Sequence, residues 1–444
     1  MTQESAQPAG TAPASTQSTH ISLGMVLLIV LVALGPRVGY VLVASRELQF
    51  PDERQYLNIA QNFVKGEGLT VSIDSQTANP LHFPQEIQRP PLYPLILALM
   101  DRAKAGLTGV RLMQALLGAL TCVIIYLLAA ELVEEWPARI AGLIAAVYPF
   151  YVYFAGRILS ETLFLLFFVT SIYYIVRMWK DVSGEGETVR WLASCMMAGL
   201  LGAAAVLTRS SALPVYLLVP LVWLVIGPRR SEGLAAGVLM LIVLGIGMSP
   251  WIARNFKRSG DQETGGRLVV TTLKVGESLY EAVGPFATGG PNKENTLWPP
   301  EAEARIADEY MRNQYLVERS LAYMRNNPGR TLRLAVVKFL RTWNVIPNYR
   351  AVRKPFYIVV SLVSYVPVLL SALLGLYLRV RHWRSVVWLL LPVVVITLIH
   401  MVFVGSVRYR LAMMPFVTVF SGVGVWWLIS KVFKVGSPTV EDRV

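Results

Sequence analysis

Asp52, Glu53 and Arg54 stand side by side in Phe50-Pro51-Asp52-Glu53-Arg54-Gln55-Tyr56. Such a run offers a carboxylate able to take a proton beside a cation able to hold a phosphate, the pair needed to move a group off a lipid phosphate. Leu57, Ala60, Gln61 and Val64 continue at helical spacing to Gly66 and Gly68, so Asp52 also falls near a helix N-terminus, where carboxylates are common caps. Capping and proton transfer are both open to it. A second acid, Glu161, lies in Arg157-Ile158-Leu159-Ser160-Glu161-Thr162 at the head of an apolar run. Helix capping accounts for it adequately. Yet a lone carboxylate beside a bilayer is costly, and Arg157, four residues earlier, pairs with it if the helix reaches back that far.

The cations show a pattern of their own. In Gln88-Arg89-Pro90-Pro91-Leu92-Tyr93-Pro94 the prolines forbid regular helix and fix Arg89 and Tyr93 in place. Arg89 then holds either a phosphate or a lipid headgroup, and Tyr93 is by default an interfacial belt residue. Arg157, Arg209, Arg408 and Arg410 sit in very short connections between apolar runs, and Arg37 lies inside the outer half of the first run. A charge near the bilayer centre costs about 2.5 kcal/mol or more. Headgroup snorkelling explains any one of these arginines; an anionic ligand at the outer leaflet explains all five together.

What must position these groups is a membrane bundle. The chain has 444 residues, 54% of them apolar and only 16% charged, with a mean hydropathy of +0.50. Soluble domains carry about 25% charge, so this composition excludes a soluble enzyme, a disordered chain and a nucleic-acid binder, despite a net charge of +13. Apolar runs long enough to cross about 30 Å of hydrocarbon fall near 22–44, 109–132, 138–155, 159–178, 191–207, 211–227, 233–252, 356–378, 385–404 and 411–433. The expected fold is therefore an all-α polytopic membrane protein with about ten transmembrane helices. Two shorter runs, Leu92 to Met100 and Leu332 to Trp343, suit re-entrant or interfacial helices.

Basic residues in short loops set the orientation. Arg177, Lys180 and Arg190, then Arg229 and Arg230, then Arg379, Arg381 and Arg384, then Lys431 and Lys434 share one side in a ten-span chain. That side is the cytoplasm. The expected divisions are a disordered tail at 1–20 without the basic start of a signal peptide, an N-terminal module at 21–252 with an external loop at 45–108, a large external loop at 253–354, C-terminal helices at 355–434 and a tail at 435–444. The second loop starts with Gly265, Gly266, Gly276, Gly284, Gly289 and Gly290 as an ordered irregular segment, turns helical from Glu301 to Asn326, and ends in an amphipathic helix. In that helix Arg330, Arg333, Lys338 and Arg341 group on one face and Leu332, Val336, Phe339, Leu340 and Trp343 on the other. Cys122 and Cys195 both lie in apolar runs and imply neither a disulfide framework nor a thiolate metal site.

In this order these segments resemble the GT-C glycosyltransferases of the bacterial family-39 and aminoarabinose-transferase kind, relatives of the protein O-mannosyltransferases. Pro51-Asp52-Glu53 with Tyr56 resembles the acidic first-loop motif, and Arg89-Pro90-Pro91-Leu92-Tyr93 the basic-Pro-Pro-Leu-Tyr motif. Arg157 to Glu161, Thr208-Arg209, Pro250-Trp251 to Arg254-Asn255, Asn327-Pro328 and Arg408-Tyr409-Arg410 with Pro415 resemble later landmarks. The resemblance implies a GT-C-type bundle at a bacterial inner membrane. Its implied reaction moves a sugar from a polyprenyl-phosphate donor to a lipid, glycan or protein acceptor on the extracytoplasmic face, with inversion. Asp52 matches the acid-base position, with Glu53 and Glu161 beside it. Arg89 matches a lysine that contacts the lipid phosphate, a change that keeps charge and alters geometry. Arg54, Arg209, Arg254, Arg408 and Arg37 are further expected phosphate ligands, and Tyr56, Tyr93, Arg157, Tyr409 and Arg410 expected substrate contacts. The chain lacks the soluble inserted domain of the protein O-mannosyltransferases.

Asp52, Glu53 and Glu161 are oxygen donors that would suit Mg²⁺ or Mn²⁺. Because the leaving group is already a phosphate and arginines stabilise it, no metal is expected to be obligatory. Two other classes compete: a transporter or flippase of an anionic lipid-linked substrate, and a noncatalytic lipid-binding subunit. No repeat relates the two halves of the chain, a transporter has little need of the second external loop, and a noncatalytic subunit has no use for Asp52.

Overall fold

The computed structural model describes residues 21–43, 47–72, 85–184, 188–260, 265–291, 308–348 and 353–434; the tails expected at 1–20 and 435–444 lie outside them. The described residues are helical apart from loops and one antiparallel bridge between Val71 and Gln85. The helices are α1 Leu23–Val43, α2 Pro51–Val64, α3 Leu92–Arg102, α4 Gly106–Leu132, α5 Glu135–Val147, α6 Pro149–Ala155, α7 Glu161–Ser183, α8 Thr188–Thr208 and α9 Leu213–Ile226. They continue with α10 Arg230–Arg258, α11 Val275–Val283, α12 Glu309–Asn326, α13 Pro328–Thr342, α14 Pro355–Arg379, α15 Trp383–Val402 and α16 Met414–Phe433.

Seven stretches among the described residues are long and apolar enough to cross a membrane, and eight if the bent pair of α5 and α6 is one span. One of the seven, Pro355–Val402, runs for 48 residues, which as a single helix would reach about 72 Å, twice what a bilayer core needs. It folds back instead. Near its start the Ser361 hydroxyl bonds the Val345 carbonyl, just after α13, and at its end the Val402 carbonyl accepts from Lys338 of α13. The turn falls at the 3₁₀ residues Val380–His382.

Small residues let these helices close on one another. At the α14–α16 crossing a Cβ on Gly424 would run into the Ser371 carbonyl oxygen, and the hydroxyls of Ser371 and Ser421 meet at 2.7 Å. Backbones approach this closely only where a side chain is missing. At the opposite end from α7's first residue, Lys180 pairs with Glu131 at 2.8 Å and Arg379 with Glu134 at 2.8 Å. Lys180 stands about 28 Å along α7 from Glu161. The basic loop residues thus gather at one end of the bundle, and Asp52, Arg89 and Glu161 at the other.

At eleven residues α3 is too short to span. The amphipathic helix α13 forms as the periodicity requires, with Leu332 69% and Leu340 60% exposed while Lys338 on the basic face is 1% exposed. An apolar stripe turned away from the protein is what an interfacial helix offers to lipid. The segment between α10 and α12 is more regular than its glycines imply: α11 forms between Gly266 and Gly284 and packs on α12. α10 carries on to Arg258, beyond the expected end of its span at 252, since cations are favourable in a last helical turn.

Candidate active site

Pro51 opens α2, and the amides just before it need acceptors. Glu53 provides them. Its Oε2 accepts from the Gln49 and Phe50 amides at 2.7 and 2.9 Å, and its Oε1 from the Ile158 amide at 2.9 Å. Glu53 is fully buried and ties the start of α2 to the turn preceding α7. The capping task is therefore done by Glu53, which leaves the neighbouring carboxylate for other partners.

Asp52 spends both oxygens on guanidinium groups. Oδ1 lies 2.6 Å from Nη2 of Arg89, and Oδ2 lies 2.7 Å from Nη1 of Arg408. Arg408 also donates through Nε to Oε1 of Glu161, and the same oxygen sits 2.7 Å from Nη1 of Arg209. One planar guanidinium thus bridges two carboxylates contributed by α2 and α7, the fork geometry that arginine alone supplies. Burial alone would lower the pKa of Arg89 and Arg408; the carboxylates outweigh it and hold both above the ordinary arginine value. Three guanidiniums, Arg89, Arg209 and Arg408, face two carboxylates, Asp52 and Glu161. Three minus two leaves one positive charge in the cluster.

Aromatic rings surround it. Arg89 stacks over Tyr56 at 5.1 Å, Arg408 over Phe50 at 5.6 Å and Arg209 over Tyr409 at 5.8 Å. Tyr93 packs edge-on against Tyr56 at 4.9 Å and donates to Gln114 at 2.8 Å, well inside the protein rather than in an interfacial belt. A narrow recess opens beside Glu161 between Phe164, Arg209, Ser211, His400, Arg408 and Tyr409. His400 stacks on Tyr409 at 4.1 Å.

The remaining expected residues stand elsewhere. Arg37 is buried at the break between α5 and α6, donating to the carbonyls of Ala33 at 2.7 Å, Ala146 at 2.8 Å and Ala145 at 3.4 Å. Pro149 has no amide for the Ala145 carbonyl, so a guanidinium from α1 takes its place. Arg254 bonds the Glu86 carbonyl at 2.8 Å and stacks over Trp251 at 4.9 Å, fastening the first loop to α10. Arg410 reaches the Asn344 carbonyl at 2.6 Å and covers the Tyr365 ring at 3.4 Å. Arg157 donates to the Tyr40 hydroxyl at 2.8 Å and lies over Tyr153 at 4.7 Å; α7 starts too late for the pair with Glu161, whose partners are Arg209 and Arg408 instead. Arg54 is exposed next to the cluster. Among the described residues no three His, Cys, Asp or Glu side chains converge as metal ligands, and Glu53 is held by backbone amides.

Two contributors escaped the sequence pattern. Gln55, one turn after Asp52 on α2, accepts from Nε of Arg89 at 2.8 Å and donates to Gln88, whose amide in turn reaches Glu277 at 3.2 Å. Its position three residues after Asp52 was a usable signal. His400 was another, as an ionisable residue inside an apolar run.

The segment carrying Arg408 is pinned from α13. Lys338 donates to Val402 at 2.7 Å, Arg341 to Gly405 at 3.4 Å, and the Gly405 amide to Gly289 at 2.9 Å. Gly405 lies so near the α13 backbone that a Cβ there would run into the Lys338 carbonyl. Gly405→Ala is therefore expected to displace the Arg408 segment and cut activity at least tenfold with a modest change in melting temperature; wild-type activity would show that the segment tolerates the shift. Burial pulls Lys338 down to about 8 from its usual 10.5. The unfolded chain then binds more protons between these values, so stability should rise with pH from about 8 toward 10.5. Thermal unfolding across that range is expected to show the rise in the wild type and a flatter profile in Lys338→Met.

Comparison with known proteins places this geometry in context. The family model described as dolichyl-phosphate-mannose-protein mannosyltransferase matches residues 88–253. The oligosaccharyltransferase AglB of Archaeoglobus fulgidus, in complex with an inhibitory peptide and a dolichol-phosphate, superposes with a TM-score of 0.59 at 13% identity, over 94% of this chain and 52% of that one. The fold is that of the GT-C glycosyltransferases. A second structure of the Archaeoglobus enzyme, tethered to an acceptor peptide, gives 0.58 at 13% identity over 95% and 51% of the two chains. ArnT of Cupriavidus metallidurans bound to undecaprenyl phosphate gives 0.42 at 16% identity over 94% and 82%. The chain spans about half the length of the archaeal enzyme whose GT-C fold it shares. No curated protein matches it in sequence.

Proposed function

We propose that the protein is a membrane glycosyltransferase that moves a sugar from a polyprenyl-phosphate donor to a hydroxyl acceptor on the outer face of a bacterial inner membrane. The observation that carries this is the single positive charge left by three arginines and two carboxylates. A polyprenyl-phosphate sugar is a phosphodiester with one negative charge, so the cluster is neutralised by one donor. The GT-C fold supports the reaction class, and the dolichol-phosphate bound to the archaeal oligosaccharyltransferase supports the donor class.

In this scheme Arg89, Arg209 and Arg408 turn toward the donor phosphate, with Arg54 at the rim. As they do, Asp52 loses guanidinium partners and gains proton affinity. It takes the proton of the acceptor hydroxyl as that oxygen attacks the anomeric carbon from the face opposite the phosphate. The bond between the anomeric carbon and the phosphate oxygen breaks, polyprenyl phosphate leaves with the arginines countering its growing charge, and the configuration inverts. Glu161 keeps Arg209 and Arg408 at the correct height. Ten crossings, with α9 as one and Pro355–Val402 as two, leave both termini in the cytoplasm and the cluster outside.

The test is transfer itself. Purified protein incubated with radiolabelled polyprenyl-phosphate sugars and membrane extract is expected to move label into a component of the extract and release polyprenyl phosphate. Label confined to the donor across a panel of sugars rejects the proposal, and label translocated across sealed vesicles without bond cleavage supports a flippase in its place.

A further inference from the structure

The link between α15 and α16 runs from Phe403 to Arg408 without regular helix, yet its last residue must meet two acids at once. His400, in the last turn of α15 and 8% exposed, reaches both ends of that link. Its Nδ1 lies 3.1 Å from the Val404 carbonyl oxygen at the near end. A carbonyl oxygen only accepts, so Nδ1 carries the proton and donates. At the far end the face of the same ring lies on Tyr409, with centroids 4.1 Å apart and planes within 7° of parallel.

Tyr409 carries the contact further. Its ring also takes the guanidinium of Arg209, 5.8 Å from the centroid, and Arg408 precedes it in the chain. Arg209 and Arg408 converge on a single atom, Oε1 of Glu161, Arg209 at 2.7 Å and Arg408 through Nε. Two guanidiniums that can share one carboxylate oxygen can share one phosphate oxygen in the same way. We propose that His400 is the positioning residue of this pair: its edge holds Val404 and its face holds Tyr409, so that Arg408 and Arg209 close on the same donor phosphate. The proposal rests on the transferase reading above and names a residue that acts on the donor through other side chains.

The residue type follows from the two tasks. Asparagine can donate to the Val404 carbonyl but brings no ring to Tyr409, and phenylalanine stacks but cannot donate. Histidine does both with one ring. A hydrogen bond to a backbone carbonyl is by itself the ordinary way to satisfy a polar side chain in an apolar run. That explanation leaves the parallel stack unaccounted for, on a residue that adjoins Arg408 and touches Arg209. α13 holds the same connection at Val402 and Gly405, both before Arg408 in the chain. Tyr409 lies after it, so the stack fixes the side that α13 does not.

The experiment uses the full-length protein in detergent with radiolabelled polyprenyl phosphate as probe, and a melting temperature for every variant. His400→Phe keeps the stack and loses the bond; His400→Asn keeps the bond and loses the stack. Each is expected to stay folded and to raise the dissociation constant by about fivefold or more, the worth of one hydrogen bond or one ring pair. Should either fail to fold, the other decides. In Arg408→Ala, adding His400→Phe should change the constant by less than about twofold, because the grip on Val404 then has no guanidinium left to position. Wild-type affinity in either folded variant, or a His400→Phe loss that persists in full without Arg408, overturns the proposal and leaves His400 a packing residue. Failure of the wild type to bind polyprenyl phosphate rejects the donor reading and the clamp with it, whereas binding without sugar transfer keeps the clamp and counts against the transferase alone.

Discussion

Asp52→Asn is expected to abolish measurable transfer, with a loss of about 10²–10⁴-fold, the usual worth of a positioned general base. The amide keeps the size of the carboxylate and accepts one hydrogen bond from Arg89 or Arg408, so the variant should remain folded and inserted. Glu53, which caps α2, is untouched by the change. Donor affinity should hold or improve, because removing one carboxylate raises the cluster's charge from one positive to two. Rate and donor affinity together discriminate: a base gives a collapsed rate with retained binding, whereas a structural acid gives loss of both. Transfer at the wild-type rate in Asp52→Asn removes Asp52 from the chemistry.

The second large effect belongs to Arg408. It reaches both acids, Asp52 at 2.7 Å and Glu161 through Nε. Deleting it in Arg408→Ala leaves Glu161, whose side chain is 4% exposed, with Arg209 as its remaining guanidinium. Removing one member of a buried charge pair typically costs about 3–5 kcal/mol, so the melting temperature should fall as well as the activity. The donor dissociation constant should rise at least a hundredfold. Arg408→Lys restores the charge but not the fork, and should recover stability more than donor affinity. If Arg408→Ala binds donor as the wild type does, the arginine cluster is structural only.

Much of this site was legible in the sequence because its residues are chemically out of place. Asp52, Arg89 and Glu161 flank apolar runs, and Arg209 and Arg408 occupy connections too short to be ordinary water-facing loops. The pattern could not say which arginines meet. Arg37 and Arg209 carry the same signal, a cation at the outer end of a span, yet Arg37 serves the carbonyls freed by Pro149 while Arg209 meets Glu161. That difference depends on how α5 breaks and which face of α1 looks toward it. Arg254 and Arg410 diverge for the same kind of reason, each consumed by a backbone carbonyl that helix geometry left without a donor. Gln55 and Gln88 were passed over because neutral amides carry no charge anomaly, although they orient Arg89. The all-helical membrane character was clear from composition, and seven of the described stretches, or eight with the bent pair, are long and apolar enough to span, whereas α11 was hidden by the glycines on both sides of it.

The central claim is that one lipid phosphodiester takes the arginines away from Asp52. It is tested most directly by a structure of the protein with a polyprenyl phosphonate sugar that cannot be transferred. The phosphonate oxygens are expected within hydrogen-bond reach of Arg408 and of Arg89 or Arg209, with the anomeric carbon facing an Asp52 no longer bridged by both guanidiniums. A phosphonate bound elsewhere, with the Arg89–Asp52–Arg408 bridge intact, would contradict the account.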